Sequence, residues 1–128
     1  MLLAEDNELN AEIATELLDM VNMKTVHAKN GEEAVRLFTK SEPGTYEAIL
    51  MDVQMPIVDG YEAARRIRAS SHPEAKSIHI FAMTANAFSE DVSAAFNAGM
   101  NGHIAKPIDT KILYSMLKET VEENKRKV

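Results

Sequence analysis

The sequence has no cysteine, so neither a disulfide framework nor a thiolate metal site can be built from it; that fits a reducing compartment. No apolar run approaches the roughly 20 residues of a membrane span, and no signal-peptide pattern is visible. Positive charge is in short supply. Against 20 Asp and Glu stand 14 Lys and Arg, a formal net charge of −6, which argues against general binding to nucleic-acid phosphates. Internal repeats, low-complexity tracts and linkers are missing too. The 128 residues therefore read as one domain, 1–128, with enough apolar content (45%) for a core. "MLLAED" enters a strand with almost no lead-in, as expected of a fragment excised from a longer chain.

What is present alternates. Leu2-Leu3-Ala4 reads as a short strand ending in Glu5-Asp6. In "NELNAEIATELLDM", Leu9, Ile13, Leu17 and Val21 recur every four residues beside Ala14 and Leu18, which predicts an amphipathic helix with that stripe inward. "KTVHA" is β-branched and short, a second strand. "NGEEAVRLF" opens on Asn30 as N-cap with Glu33 three residues on, and Ala34, Val35 and Phe38 supply its apolar face. After a Pro43-Gly44 loop comes the strand "AILM", then a turn through Pro56 and Asp59-Gly60, then the helix "YEAARRIRA". "IHIFAM" is a fourth strand ending at Thr84. "SEDVSAAFNAG" is a helix with Ser89 as cap and Gly99 as stop. "GHIA" is a fifth strand, ending at Lys106-Pro107. Asp109 caps a last helix striped by Ile112, Leu113, Met116, Leu117 and Val121. Five strands alternating with five helices predict an α/β fold: one doubly wound parallel sheet covered on both faces.

Polar residues collect where these strands end: Glu5-Asp6, Asp52, Thr84 and Lys106. Open parallel sheets bind ligands at the carboxyl ends of their strands. In the order 2-1-3-4-5, strands one and three are neighbours and Glu5, Asp6 and Asp52 share one pocket. Three carboxylates cannot sit together unneutralised. A divalent cation solves this, and all-oxygen ligation suits Mg²⁺. Lys106 adds a second positive charge and Thr84 a hydroxyl donor. The set points to phosphoryl chemistry with Asp52 as nucleophile, helped by positioning and charge neutralisation. The apolar run before Asp52 raises a question of its own, since an unpaired buried carboxylate is costly. The expectation is that Asp52 escapes burial by emerging at the open edge of the sheet.

"LLAEDN", "LMDVQMPIVDG", "AMTANA" and "AKPI", in this order and spacing, resemble a response-regulator receiver domain of two-component signalling over essentially the whole chain. The resemblance implies a flavodoxin-like (βα)5 fold, whose known strand order is the 2-1-3-4-5 used above. It implies that Asp52 is the phosphoacceptor, that Asp6 ligates Mg²⁺ (or Mn²⁺) directly and Glu5 through water, and that the Gln54 backbone carbonyl completes the metal site. Thr84 and Lys106 look like the phosphoryl-sensing pair, Lys106-Pro107 like the family's cis peptide, and Gly60, like Pro107, has a structural role. Gln54 and Asn86, which flank the site, would set the lifetime of the phosphoryl group. One position departs from the pattern: His103 stands where the family often has Tyr or Phe, so the usual aromatic switch does not carry over. The phrasing is most similar to receivers of hybrid sensor histidine kinases, of the bacterial type. Its partners would be the dimerisation and phosphoacceptor domain of a histidine kinase, a histidine phosphotransfer domain, or both. The location would be cytoplasmic, including the cytoplasmic part of a membrane-bound kinase, with no nucleic-acid or membrane contact by this domain.

Taken singly, each residue has a plainer role. Asp52 alone could cap a helix, Thr84 could be a strand residue, and Lys106 a solvated charge. "RRIR" reads as a solvated face, and Met51, Met55 and Met83 as gap-fillers. His27, His72, His79 and His103 are too scattered for a metal site. A hydrolase of the haloacid-dehalogenase type would place a second Asp two residues after the nucleophile, but Gln54 stands there and cannot shuttle a proton. A docking module that is never phosphorylated is the remaining alternative, although no acidic residue or lysine of the set is lost.

Overall fold

A computed structural model describes residues 1–85 and 89–126. Its elements run β1 (Leu2–Ala4), α1 (Glu8–Asp19), β2 (Val26–Ala28), α2 (Gly31–Thr39), β3 (Ala48–Asp52), α3 (Gly60–Ala69), β4 (His79–Thr84), α4 (Ser89–Asn97), β5 (Gly102–Ala105) and α5 (Thr110–Arg126). The strands form one sheet in the order β2-β1-β3-β4-β5, and every neighbouring pair is parallel. Parallel pairing sends all five carboxyl ends to one edge of the sheet. There the chain turns away into helices capped by its own side chains. Asn7, Asn30 and Asp59 each accept from a backbone N–H three residues on. Asp109 accepts from the Lys111 and Ile112 amides at the start of α5. Gly99, at φ 94°, ends α4 in the left-handed region.

Alternate strand residues feed two cores. Leu2, Ala4, Ile49, Met51, Ile80 and Ala82 pack under α2, α3 and α4. Leu3, Ala48, Leu50, Phe81, Met83 and Ile104 pack under α1 and α5. Central β3 is buried along its whole length, which is why it reads as an unbroken apolar run. Met51, Met55 and Met83 are all buried, the gap-filling role expected of them.

The α1 stripe differs from expectation. Leu9 is 64% exposed and Ile13 46%, and Val21 is exposed as well, while Ala11, Ala14 and Leu18 face the sheet. The small side chains of Ala11 and Ala14 let the helix lie close to the strands, with Leu18 filling the core beside them and Leu9 and Ile13 on the flank. In α5, Leu113 and Leu117 are buried but Ile112 is exposed. Buried Thr120 stands in the stripe instead, its hydroxyl donating to the Met116 carbonyl at 2.9 Å. "RRIR" is not uniformly solvated either. Arg65 and Arg66 pair with Glu62 at the surface. Arg68 donates to the Gly99 carbonyl (2.9 Å), the Ala75 carbonyl (3.1 Å) and Asn101 Oδ1 (2.8 Å), tying α3 to the ends of two loops.

Candidate functional site

β1 and β3 are neighbours, and Ala4 lies opposite Met51 in register. The residues that follow, Glu5-Asp6 and Asp52, are therefore brought side by side at the carboxyl edge. One carboxylate oxygen from each of Glu5, Asp6 and Asp52 lies within 4.8 Å of the others. β5 pairs with β4, and the Lys106 amide extends that ladder by donating to the Thr84 carbonyl at 2.8 Å. This aims the Lys106 side chain across the edge. Its ammonium donates to Glu5 Oε2 and to Asp52 Oδ2, each at 2.9 Å.

The edge is less open than the sequence suggested. Asp52 is buried, with 5% of its surface exposed, and Glu5 with 2%. The expectation that Asp52 escapes burial is corrected: the carboxylate is enclosed and held there by the Lys106 ion pair, with the Gln54 amide donating to Oδ1 at 3.3 Å. Burial pushes the Glu5 carboxyl above its ordinary 4.5; the hydrogen bond from Lys106 opposes this and the Asp52 charge adds to it. Burial alone would lower the Lys106 ammonium, but its bonds to Glu5 and Asp52 outweigh that and hold it above its ordinary 10.5.

Two backbone devices keep this edge in shape. The Gly60 amide donates to the Val53 carbonyl at 2.9 Å, folding the β3–α3 turn back onto the strand. A Cβ on Gly60 would lie 2.3 Å from the Asp52 carbonyl oxygen, so only glycine permits that approach. Val58 donates to the Pro56 carbonyl at 2.8 Å across Ile57, whose φ of 71° makes a tight γ-turn. The Lys106–Pro107 bond is cis.

A cleft of about 200 Å³ opens over the cluster, lined among others by Asp6, Asp52, Gln54, Thr84 and Lys106. Thr84, half-buried at the end of β4, and exposed Gln54 both face it. His103 lies on β5 opposite Ala82, outside the residues that line the cleft, and is half-buried. Asn86 lies outside the described residues, as does the side chain of the expected cap Ser89. Pro107 lines a second, mostly apolar cleft of about 340 Å³ with Ile13, Met83, Lys106 and Ile108.

Two contributors went unsingled in the sequence. The Asn7 amide donates to Glu5 Oε1 at 3.2 Å, and His27 Nε2 donates to the Glu5 carbonyl oxygen at 2.6 Å. No local motif announces either; the parallel pairing of β1 with β2 creates the second one.

The donor set is all oxygen, and three carboxylates face a single ammonium. Two negative charges are left over, which suits a hard divalent cation such as magnesium. Deprotonated carboxylate oxygen beside a fixed ammonium is also the arrangement that phosphoryl transfer uses, a nucleophile next to a charge clamp.

Residues 1–118 match the response regulator receiver domain family. Among curated relatives, hybrid signal transduction histidine kinase I of Dictyostelium discoideum is 34% identical over 98% of this chain, and hybrid kinase B of the same organism 40% identical over 93%. The chain spans only 8% and 6% of their lengths. The receiver domain of sensor histidine kinase PA1611 from Pseudomonas aeruginosa superposes with a TM-score of 0.84 at 35% identity, covering 94% of this chain and 95% of that one; its structure holds a magnesium ion in the active-site cleft. The receiver domain of Saccharomyces cerevisiae Ssk1, solved with the histidine phosphotransfer protein Ypd1, superposes with a TM-score of 0.79 at 31% identity, covering 92% of this chain and 85% of that one. With relatives in a slime mould and a yeast as well as a bacterium, the similarity does not single out a bacterial source.

Proposed function

Because the chain belongs to the response regulator receiver domain family, we propose that it accepts a phosphoryl group on Asp52 from a partner's phosphohistidine and passes it on or loses it to water. The observation that carries this reading is the placement of the Asp52 carboxylate 2.9 Å from Lys106 and within a three-carboxylate cluster. In the transfer, an Asp52 carboxylate oxygen attacks phosphorus. The new P–O bond forms as the P–N bond breaks, and the imidazole departs with its electron pair. Lys106, already charged and in place, meets the phosphoryl oxygens. Magnesium, held by Asp6, Asp52, the Gln54 carbonyl and, through water, Glu5, would supply further charge neutralisation. The Thr84 hydroxyl donates to the phosphoryl group once it arrives, biasing β4 and the segment after it toward a second state. Gln54 faces the cleft, and the lifetime of the acyl phosphate depends on Gln54 and Asn86. His103 stands on β5 opposite Ala82, where the family often has an aromatic ring. Pro107 and Gly60 hold the loops that present Lys106 and Asp52.

The proposed donor is a helix-borne histidine of a histidine kinase or of a phosphotransfer domain, with residues 1–128 proposed as the cytoplasmic receiver part of a longer kinase. Exposed Leu9 and Ile13 support the partner reading, since Ile13 borders the apolar cleft that ends at Lys106. Among the described residues no helix is long and apolar enough to cross a membrane. Incubation with acetyl phosphate and magnesium should add the mass of one phosphoryl group, and Asp52→Asn should abolish the gain. Steady turnover of phosphomonoesters, or no gain at all with a competent donor, would overturn the assignment.

A further inference from the structure

His27 belongs to β2, a strand that contributes nothing to the carboxylate cluster itself. Yet its imidazole makes a short contact at the root of that cluster. β1 and β2 run in parallel register, Leu2 with Val26, Leu3 with His27 and Ala4 with Ala28. The ladder continues one bond past β1, with the Glu5 amide donating to the Ala28 carbonyl at 3.1 Å. Two residues later along β2 the next rung would take the Glu5 carbonyl. By then the chain has turned away at Asn30 to cap α2. The His27 side chain fills that place, its Nε2–H donating to the Glu5 oxygen at 2.6 Å.

The peptide fixed by this bond is the one between Glu5 and Asp6. Asp6 is exposed, and among the described residues no hydrogen bond from elsewhere in the loop orients its carboxylate. Its neighbours are firmly held. Glu5 is bonded through its amide, its carbonyl and both carboxylate oxygens; Asn7 is committed to capping α1. The direction in which Asp6 leaves the backbone is therefore set by the Glu5–Asp6 peptide plane, and among the described residues His27 is the anchor on its carbonyl side.

We propose that His27 is a positioning residue for the divalent-cation site: it holds the Glu5–Asp6 peptide so that the Asp6 carboxylate meets those of Glu5 and Asp52. It touches neither the cation nor the phosphoryl group. The inference rests on the reading of Glu5, Asp6 and Asp52 as a magnesium site. Partners one shell removed from a metal ligand typically set tenfold or more of its affinity.

The test is magnesium titration of the whole chain followed by the amide signals of Asp6 and Gln54, with thermal unfolding in EDTA measured alongside. His27→Ala should weaken magnesium binding about tenfold. His27→Gln, whose side-chain amide can donate to the same carbonyl, should bind within about twofold of the parent, a rescue that general packing would not produce. His27→Ala binding magnesium as tightly as the parent would overturn the positioning role and leave the metal site standing. So would a His27→Gln variant as weak as His27→Ala while unfolding at the parent temperature. Failure of the parent chain itself to bind magnesium would overturn both.

Discussion

Ile57 carries the most local strain described in the chain. A β-branched residue at φ 71° costs on the order of 1–2 kcal/mol. Its side chain is 75% exposed, so packing does not repay it. The strain makes sense only through its neighbours: the tight turn returns the chain so that Val58 packs inward and Gly60 can close on the end of β3. Ile57→Gly removes the side-chain clash and adds about 0.5–1 kcal/mol of backbone entropy cost. The expected outcome is a net stabilisation of up to about 1 kcal/mol in urea denaturation, with slower or weaker phosphorylation if the loop then samples other shapes. At the same scale the sequence was a good guide to what each residue is and a poor guide to how enclosed it is. The positions of Asp52, Glu5 and Lys106 at strand ends could be read from the order of apolar runs. That Asp52 would be buried could not, because the enclosure comes from Lys106, more than fifty residues downstream, closing over it.

Elements were legible where the signal is a period or a cap. β5 was read over the same residues, Gly102–Ala105, and Asn30 and Asp109 cap their helices as expected. Choosing which face of a helix turns inward was harder. In α1, Leu9 and Ile13 sit on an exposed flank while Ala11, Ala14 and Leu18 take the core, because close helix–sheet approach admits small side chains at two of these positions and hydrophobicity alone favours large ones. Arg68 shows the reverse error, a charge that reads as solvated yet braces two loops through three acceptors. Arg68→Ala should cost about 2–4 kcal/mol in urea denaturation, since it removes bonds from a charged donor and leaves the Gly99 and Ala75 carbonyls without this partner. Arg68→Lys should recover only part, because one ammonium cannot span the three acceptors of a planar fork.

For the molecule as a whole, the cluster sets function against stability. Without a metal, Glu5, Asp6 and Asp52 repel one another across a space closed by one ammonium. Asp52→Asn should therefore unfold at a higher temperature than the parent in EDTA, and the difference should shrink or reverse in saturating magnesium, which binds the folded parent and stabilises it by linkage. Glu5 adds a pH dependence of known sign. Its folded value lies above its ordinary 4.5, so the folded state keeps a proton that the unfolded state releases. In EDTA its contribution to stability is fully present below pH 4.5 and is lost as pH rises through the folded value. Magnesium competes with that proton, so its affinity should fall as pH is lowered from neutrality toward the same range; isothermal titration at a series of pH values measures it. A chain whose magnesium affinity does not fall as pH is lowered from neutrality to 4.5 would contradict this account.

The one ammonium shared by two carboxylates has a consequence for time rather than for structure. With a divalent cation aboard, the edge of the sheet is formally neutral: three carboxylates against Lys106 and two metal charges. Turning a carboxylate into an acyl phosphate adds about one further negative charge at neutral pH, and the resident cations have none left to give. The loaded form is thus the electrically unbalanced one, and discharge returns the site to neutrality. Under the proposed function, a domain built this way would act as a self-resetting timer, its interval set by whatever donors gather around the phosphoryl group while it lasts.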